Sequence, residues 1–211
     1  MVKIYHFYHI YSNGKWKLPL SSHLSALKES KLINEIGSIK FGISGESIDE
    51  VNAYLRDQEI EFDLLVDSKS KWEQQTLIPL HEFSKQNEGI VFYAHTKGAS
   101  SSNSYSLSWR TSMTFFNVIQ WQNNVDYLRN FDIVGCHWID SRIEDGKTIP
   151  PFFGGNFWWA NCSFIAQLQK PNNENRWEAE TWLTSNFENV FPKYKDINPG
   201  WPKDENFVFG W

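Results

Sequence analysis

Strand-like and helix-like patterns of apolar residues alternate along most of this chain. Residues 2–11 are strand-formers at nearly every position and are broken by Ser12-Asn13-Gly14. Leu20, Leu24 and Leu27 then recur at helical spacing in a segment ending near Gly37. Residues 39–43 predict a second strand closed by Ser44-Gly45. Ser47-Ile48-Asp49-Glu50 reads as a capping box opening a helix through about Arg56. A third strand is predicted over 61–67, a helix around Leu77 and Leu80, and a fourth strand over 89–95. A loop of small polar residues, 98–104, leads into a long helical region of roughly 105–129, carrying Trp109, Phe116 and Trp121. A fifth strand covers 131–136. Beyond Asp140 the alternation fades into loop, a strand over 157–165 and a helix around 177–183.

Four βα units in succession predict an α/β fold with a central, mostly parallel twisted sheet flanked by helices on both faces. Ligands of such sheets bind outside the carboxyl ends of the strands. Those ends carry His9 and Tyr11, Ser44 and Gly45, Asp67, and His95 to Gly98.

Composition narrows the function classes. A chain of 211 residues can bury a substantial core as one domain. A formal net charge of -5 argues against a nucleic-acid partner, which would require a basic face. No apolar stretch approaches the roughly 18 residues of a membrane span, and the start is too polar for a signal peptide. Two cysteines, Cys136 and Cys162, make neither a disulfide framework nor a zinc site, so a reduced, cytoplasmic setting is expected. The 11 Trp residues are mostly assigned to the core, leaving a few rings for a cleft. The chain ends on Phe209-Gly210-Trp211 without a polar tail, which suggests one domain of a longer polypeptide.

Several constellations carry candidate chemistry. In Gly154-Gly155-Asn156-Phe157-Trp158-Trp159 the glycines allow close backbone approach, Asn offers a donor and an acceptor, and the indoles offer flat platforms. Together they suit a sugar. If the segment is a strand, Trp158 and Trp159 point to opposite faces, so at most one touches the sugar. In Tyr93-Ala94-His95-Thr96-Lys97-Gly98, a His, a hydroxyl and a Lys follow a buried strand and suit a phosphate. Tyr8-His9-Ile10-Tyr11 suits a nucleobase or simply a strand. In Arg176-Trp177-Glu178-Ala179-Glu180, helical geometry sets Glu178 and Glu180 about 200° apart, so only one faces a given cleft. Such a carboxylate suits a general base or the stabilisation of a developing cation. Cys136-His137-Trp138-Ile139-Asp140 lacks the second ligand group of a zinc site and reads as structural.

Taken together, these motifs resemble those of nucleotide-sugar glycosyltransferases of the GT-A fold. The likeness is to the type that builds rhamnose-containing polysaccharides and other surface glycans, including chlorella-virus enzymes acting on capsid-protein glycans. It rests on Tyr93-Ala94-His95-Thr96-Lys97-Gly98, Trp109-Arg110, Gly155-Asn156-Phe157-Trp158-Trp159-Ala160 and Glu180-Thr181-Trp182, in that order. The resemblance implies a single GT-A-like domain, with residues 1–104 binding the nucleotide and 105–211 serving donor sugar and acceptor. It implies a UDP-sugar donor, glucose or rhamnose as the transferred sugar, and a glycan or glycoprotein acceptor. His9, Ile10, Tyr11, Ser44, Gly45, His95, Lys97, Trp109 and Arg110 would hold the nucleotide-sugar. Gly155, Asn156, Trp158 and Trp159 would line the sugar and acceptor region, and Glu180, with Glu178 as second candidate, would be the reactive carboxylate.

The sequence departs from the GT-A pattern at one point. No Asp-x-Asp occurs to hold Mn²⁺ or Mg²⁺, and its position reads Ala94-His95-Thr96-Lys97. Either His95 and a distant carboxylate hold the metal, or Lys97 and Arg110 replace part of its charge. A divalent metal with His95 as ligand is the expectation carried forward, together with retention at the anomeric carbon. A non-catalytic carbohydrate-binding module and a glycoside hydrolase are the competing readings.

Overall fold

The apolar periodicities become strands and helices close to where the sequence puts them. The computed structural model describes residues 2–68, 72–99, 104–144, 146–172, 178–185 and 192–198. Its first half alternates β1 (Ile4–Tyr11), α1 (Lys17–Glu29), β2 (Ile36–Ser44), α2 (Ile48–Arg56), β3 (Asp63–Ser68), α3 (Gln74–Ser84) and β4 (Ile90–His95). There follow α4 (Ser104–Thr114), α5 (Trp121–Tyr127), β5 (Ile133–Gly135), and four short strands β6 (Trp138–Ile139), β7 (Arg142–Glu144), β8 (Lys147–Ile149) and β9 (Phe152–Phe153). The described chain closes with β10 (Trp158–Asn161), α6 (Cys162–Ile165), α7 (Glu178–Thr181) and β11 (Tyr194–Asp196). Among the described residues no helix is long and apolar enough to cross a membrane.

Seven strands form one sheet in the order β11-β5-β10-β4-β1-β2-β3. All neighbours run parallel except β10, which is antiparallel to both β4 and β5. The exception follows from the path of the chain. β5 ends at the carboxyl edge, the short strands lie beyond it, and the chain re-enters the sheet from that edge running the other way. The turn Gly154-Gly155-Asn156 is thereby delivered beside the end of β4.

Alternation within each strand builds two cores. Ile4, Tyr8 and Ile10 of β1, Phe92 of β4 and Trp159 of β10 pack with α1 and α2 on one face. Tyr5 and Phe7, Val91 and Tyr93, and Trp158 pack with α3 and α6 on the other. The two tryptophans do point to opposite faces. Trp159 stacks on Phe92 at 4.8 Å and Trp158 on Tyr93 at 5.0 Å, each against its antiparallel partner.

Three local expectations need correction. The strand expected over 157–165 stops at Asn161, opposite Ile90 where β4 begins, and turns into α6. The long helix is interrupted by a π-helical turn over Phe115–Ile119. Carbonyls in that wider turn find side-chain donors: Phe116 O accepts from Asn124 Nδ2 at 2.9 Å, and Asn117 O from the Trp159 indole at 3.0 Å. Ser47 makes no side-chain cap to α2; its own N–H donates instead to Ser12 Oγ at 3.1 Å. Arg176, Trp177 and residues 209–211 lie outside the described residues, as does the loop 100–103.

One face also buries a histidine pair. His6 Nδ1–H donates to Phe92 O at 3.0 Å, which leaves His6 Nε2 to accept from His23 Nε2–H at 2.8 Å. Both rings are thus neutral. Burial holds His6 at about 4 and His23 well below its ordinary value. On the opposite face His9 is likewise held at about 4, chiefly by burial, against the pull of Glu73. An unfolded histidine titrates near 6.5. Unfolding therefore takes up protons below that pH, so their contribution is complete above pH 6.5 and is lost as pH falls towards 4. Each histidine should steepen the loss by up to about 1.4 kcal/mol per pH unit. Urea midpoints should drop clearly between pH 7.5 and pH 5; equal midpoints would mean that these rings are solvated.

Candidate functional site

The carboxyl ends of β1 and β4 open into a cleft of about 390 Å³, lined by His9, Tyr11, Trp72, Glu73, His95, Thr96, Lys97, Tyr105, Ser106, Trp109 and Glu180, among others. Volume and polar lining suit a small-molecule site. The β1 and β4 ends are bound together at its floor. Thr96 N–H donates to His9 O at 3.0 Å, and Thr96 Oγ1 accepts from Tyr11 N–H at 2.8 Å. His9 Nδ1 meets Thr76 Oγ1 at 2.8 Å and Nε2 meets Ser44 Oγ at 3.1 Å, so strand, neighbouring strand and α3 hold the ring on both sides.

Lys97 brings the positive charge. Its ammonium sits 4.2 Å from the centre of the Trp109 ring, a cation–π contact, and its carbonyl accepts from Arg110 Nη1 at 2.9 Å. Arg110 is buried, and that desolvation lowers the pKa of its guanidinium. Its role here is to brace the Lys97 turn from α4.

Glu73, just before α3, is the residue that sequence reasoning missed. Its Oε2 accepts from Tyr93 O–H at 2.9 Å and from Asn156 Nδ2 at 2.8 Å. Its Oε1 lies 3.4 Å from His95 Nδ1, and His95 Nε2 donates to Gly155 O at 2.9 Å. Burial and the Glu73 carboxylate push the Tyr93 phenol well up, keeping it a proton donor. The available signal was positional: Trp72-Glu73 follows the third strand at the same edge as His9 and His95. At that edge the sequence pattern points to Asp67 instead, whose side chain lies outside those described.

The Gly-Gly-Asn-Phe-Trp-Trp segment serves a different purpose from the one expected. Trp158 and Trp159 are 2% and 0% exposed, so neither ring is a sugar platform; both are consumed by the sheet's two cores. Gly155 adopts φ +88°, and a Cβ there would collide with Met113 Sδ and crowd Trp109. Its bare backbone accommodates α4 rather than a ligand. Asn156, at φ +58°, is 1% exposed. Its Oδ1 accepts from the Trp158 indole at 2.8 Å, and its Nδ2 donates both to Glu73 and to Ala179 O at 3.2 Å. An indole N–H can only donate, so the amide orientation is forced.

Of the other expected site residues, His9, Tyr11, His95, Lys97, Trp109 and Glu180 line the cleft. Ile10 and Ser44 are fully buried, and Gly45, at φ +112°, packs on Ser12 and Asn13. Glu180 reaches the cleft from α7 while Glu178 is not among its lining residues, as their opposed helical positions require. The expected metal ligand does not fit. Both His95 nitrogens already have protein partners, both His9 nitrogens do too, and the described residues hold no group of three or more His, Cys, Asp or Glu arranged for a metal.

The amide clamp can be tested directly. Asn156→Asp preserves shape and tolerates the positive φ, but turns two donated hydrogens into an oxygen facing Glu73 and a carbonyl. It should lower stability by about 2–4 kcal/mol, read as a lower urea midpoint at pH 7.5. An unchanged midpoint would mean that the amide is not clamped.

Comparison with known proteins agrees with this architecture. No curated protein matches the chain. Among solved structures, HddC from Yersinia pseudotuberculosis superposes with a TM-score of 0.52 at 8% identity, over 94% of this chain and 91% of that one. The 4-diphosphocytidyl-2C-methyl-D-erythritol synthase of Anaerococcus prevotii DSM 20548 gives 0.53 at 12% identity, over 93% and 87%. At such identities the likeness is one of fold, and the fold is GT-A-like. Residues 7–199 match the family described as Domain of unknown function (DUF8361), and the chain belongs to that family.

Proposed function

We propose that the cleft binds a UDP-sugar and transfers its hexose or deoxyhexose, glucose or rhamnose, to a hydroxyl of a growing glycan. The observation that carries this reading is a single cleft, at the carboxyl edge of a GT-A-like sheet, lined by both Lys97 and Glu180. Residues 1–104 contribute the nucleotide side, with Tyr11 beside the base and Lys97 offsetting the diphosphate charge. Residues 105–211 contribute Trp109 and Glu180 on the sugar and acceptor side. Glu180 takes the acceptor hydroxyl's proton as the new glycosidic bond forms. A surface-glycan acceptor, of rhamnan or viral capsid type, is the finer part of this reading and rests on the motif resemblance. The Anaerococcus neighbour is the synthase of a diphosphocytidyl compound, in keeping with a nucleotide ligand here.

Calorimetric titration with UDP, with and without Mn²⁺, tests the reading at its base. Binding heat is expected without added metal; no heat in either condition would remove the transferase assignment. Lys97→Ala should weaken UDP binding by about tenfold, roughly 1.4 kcal/mol, and unchanged affinity would return Lys97 to an exposed turn. Glu180→Gln should lower turnover by about 100-fold or more while leaving UDP affinity alone. Single displacement with Glu180 as base inverts the anomeric carbon. Product NMR is therefore expected to show inversion rather than the retention expected from the sequence, and retention would remove Glu180 from that role.

A further inference from the structure

Most polar groups of the cleft are spent on one another, and those left over are what a ligand would meet. His9 has partners on both ring nitrogens, Thr96 ties two strand ends together, and Glu73 Oε2 accepts from Tyr93 and Asn156. Lys97 lies over the Trp109 ring. Two lining side chains, Trp72 and Glu180, stand apart. Among the described residues the Trp72 indole makes no hydrogen bond, ring contact or cation contact, and the Glu180 carboxylate makes no hydrogen bond or ion pair. Both residues are half-buried.

One hydrogen-bonded joint brings these two together. Trp72 immediately precedes Glu73, and Glu180 immediately follows Ala179. Asn156 Nδ2 donates to Glu73 Oε2 at 2.8 Å and to Ala179 O at 3.2 Å. The indole and the carboxylate are thus each next in sequence to a group held on the same nitrogen. Both lie towards the face of Trp158, where Ala179 and the α3 residues Leu77 and Leu80 pack. Trp109, with Lys97 over it, packs with the opposite core. The cleft therefore has two walls of different chemistry.

The Lys97 wall offers a cation to an anion. The Trp72 wall offers an apolar ring face, one indole donor and carboxylate oxygens that only accept. A diphosphate carries acceptors alone and a uracil base carries mostly acceptors, so both match that wall poorly. A neutral pyranose matches it: its C–H face covers the ring and its hydroxyls donate to a carboxylate. A sugar bearing its own carboxylate would be repelled. We propose that Trp72 is the platform of the acceptor sugar, a neutral pyranose stacked on the indole with a hydroxyl donated to Glu180. The acceptor role rests on the UDP-sugar reading above, whereas recognition of a pyranose by Trp72 is measurable without it. Trp72 takes the part that the sequence pattern gives to Trp158 and Trp159, which the cores consume.

Nitrogen-resolved NMR of the native protein reads the contact, with the Trp72 indole signal assigned by its loss in Trp72→Phe. Methyl glucoside and methyl rhamnoside are the probes, titrated with and without UDP, and methyl glucuronide is the charged control. The Trp72 signal should shift with a neutral glycoside, and the glucuronide should bind more weakly by about fivefold or more. Trp72→Ala should weaken glycoside binding by about tenfold and leave UDP affinity unchanged; Trp72→Phe, which keeps a stacking ring, should lose less. A Trp72 signal that neither neutral glycoside moves would overturn the proposal, as would native-like glycoside binding by Trp72→Ala. A signal moved by UDP and by no glycoside would make the ring a nucleobase platform instead. Equal affinity for glucoside and glucuronide would overturn the part given to the carboxylate. Absence of UDP binding by the native protein would defeat the transferase reading, and a glycoside-dependent Trp72 shift without UDP would still establish the sugar platform.

Discussion

The side-chain amide of Asn156 is the joint on which the cleft depends. Four groups from different parts of the chain meet there: the Trp158 indole from the sheet, the Glu73 carboxylate before α3, the Ala179 carbonyl of α7, and the turn itself. The indole permits only one orientation of the amide, and that orientation supplies hydrogens to the other two partners. A buried polar group with all of its bonds made is worth keeping; the same group with one bond missing is costly. Glu73 and α7, the element that carries Glu180, are thus both anchored to a strand buried in the middle of the sheet.

Burial decides what each histidine does in this protein. His6 and His23, deep beneath the sheet, are neutral and hydrogen-bonded to each other. His9 lies between strand and helix with both nitrogens engaged and acts as a strut. His95, at the sheet's edge, faces a carboxylate and keeps access to water. One residue type provides core, brace and candidate chemistry over a span of a few strands. The gradient from interior to edge is the gradient in desolvation.

The alternating elements were legible because periodicity reports burial locally: the residues that make β1, β2 and β4 apolar are the same residues that line the two cores. The opposed faces of Trp158 and Trp159 followed from strand geometry alone. The edge of the sheet was also legible, and His9, His95 and Lys97 were found there. Glu73 was not, because its meaning comes from partners 20 and 83 residues away, which no local pattern records. The Gly-Gly-Asn-Trp-Trp composition was equally consistent with a ligand platform and with tight packing. Met113 and Trp109 against Gly155, a contact between distant segments, decide for packing. Ser47 and Glu50 form a capping pattern, but the Ser47 N–H that the Glu50 side chain would serve is taken by Ser12 across the fold.

The π turn at Phe115–Ile119 has a consequence for how α4 and α5 share their work. An α-helix advances about 100° per residue, and a π turn contains one residue more than an α turn. The extra residue re-phases everything beyond it. Before the turn, α4 directs Trp109 at the cleft; after it, α5 directs the Trp121 indole at Ser30 O, 3.1 Å away beside α1. An uninterrupted helix holding Trp109 at the cleft would swing Trp121 away from that carbonyl. The irregular turn therefore works as an angular offset, letting one helical rod satisfy two surfaces that are not in register with each other.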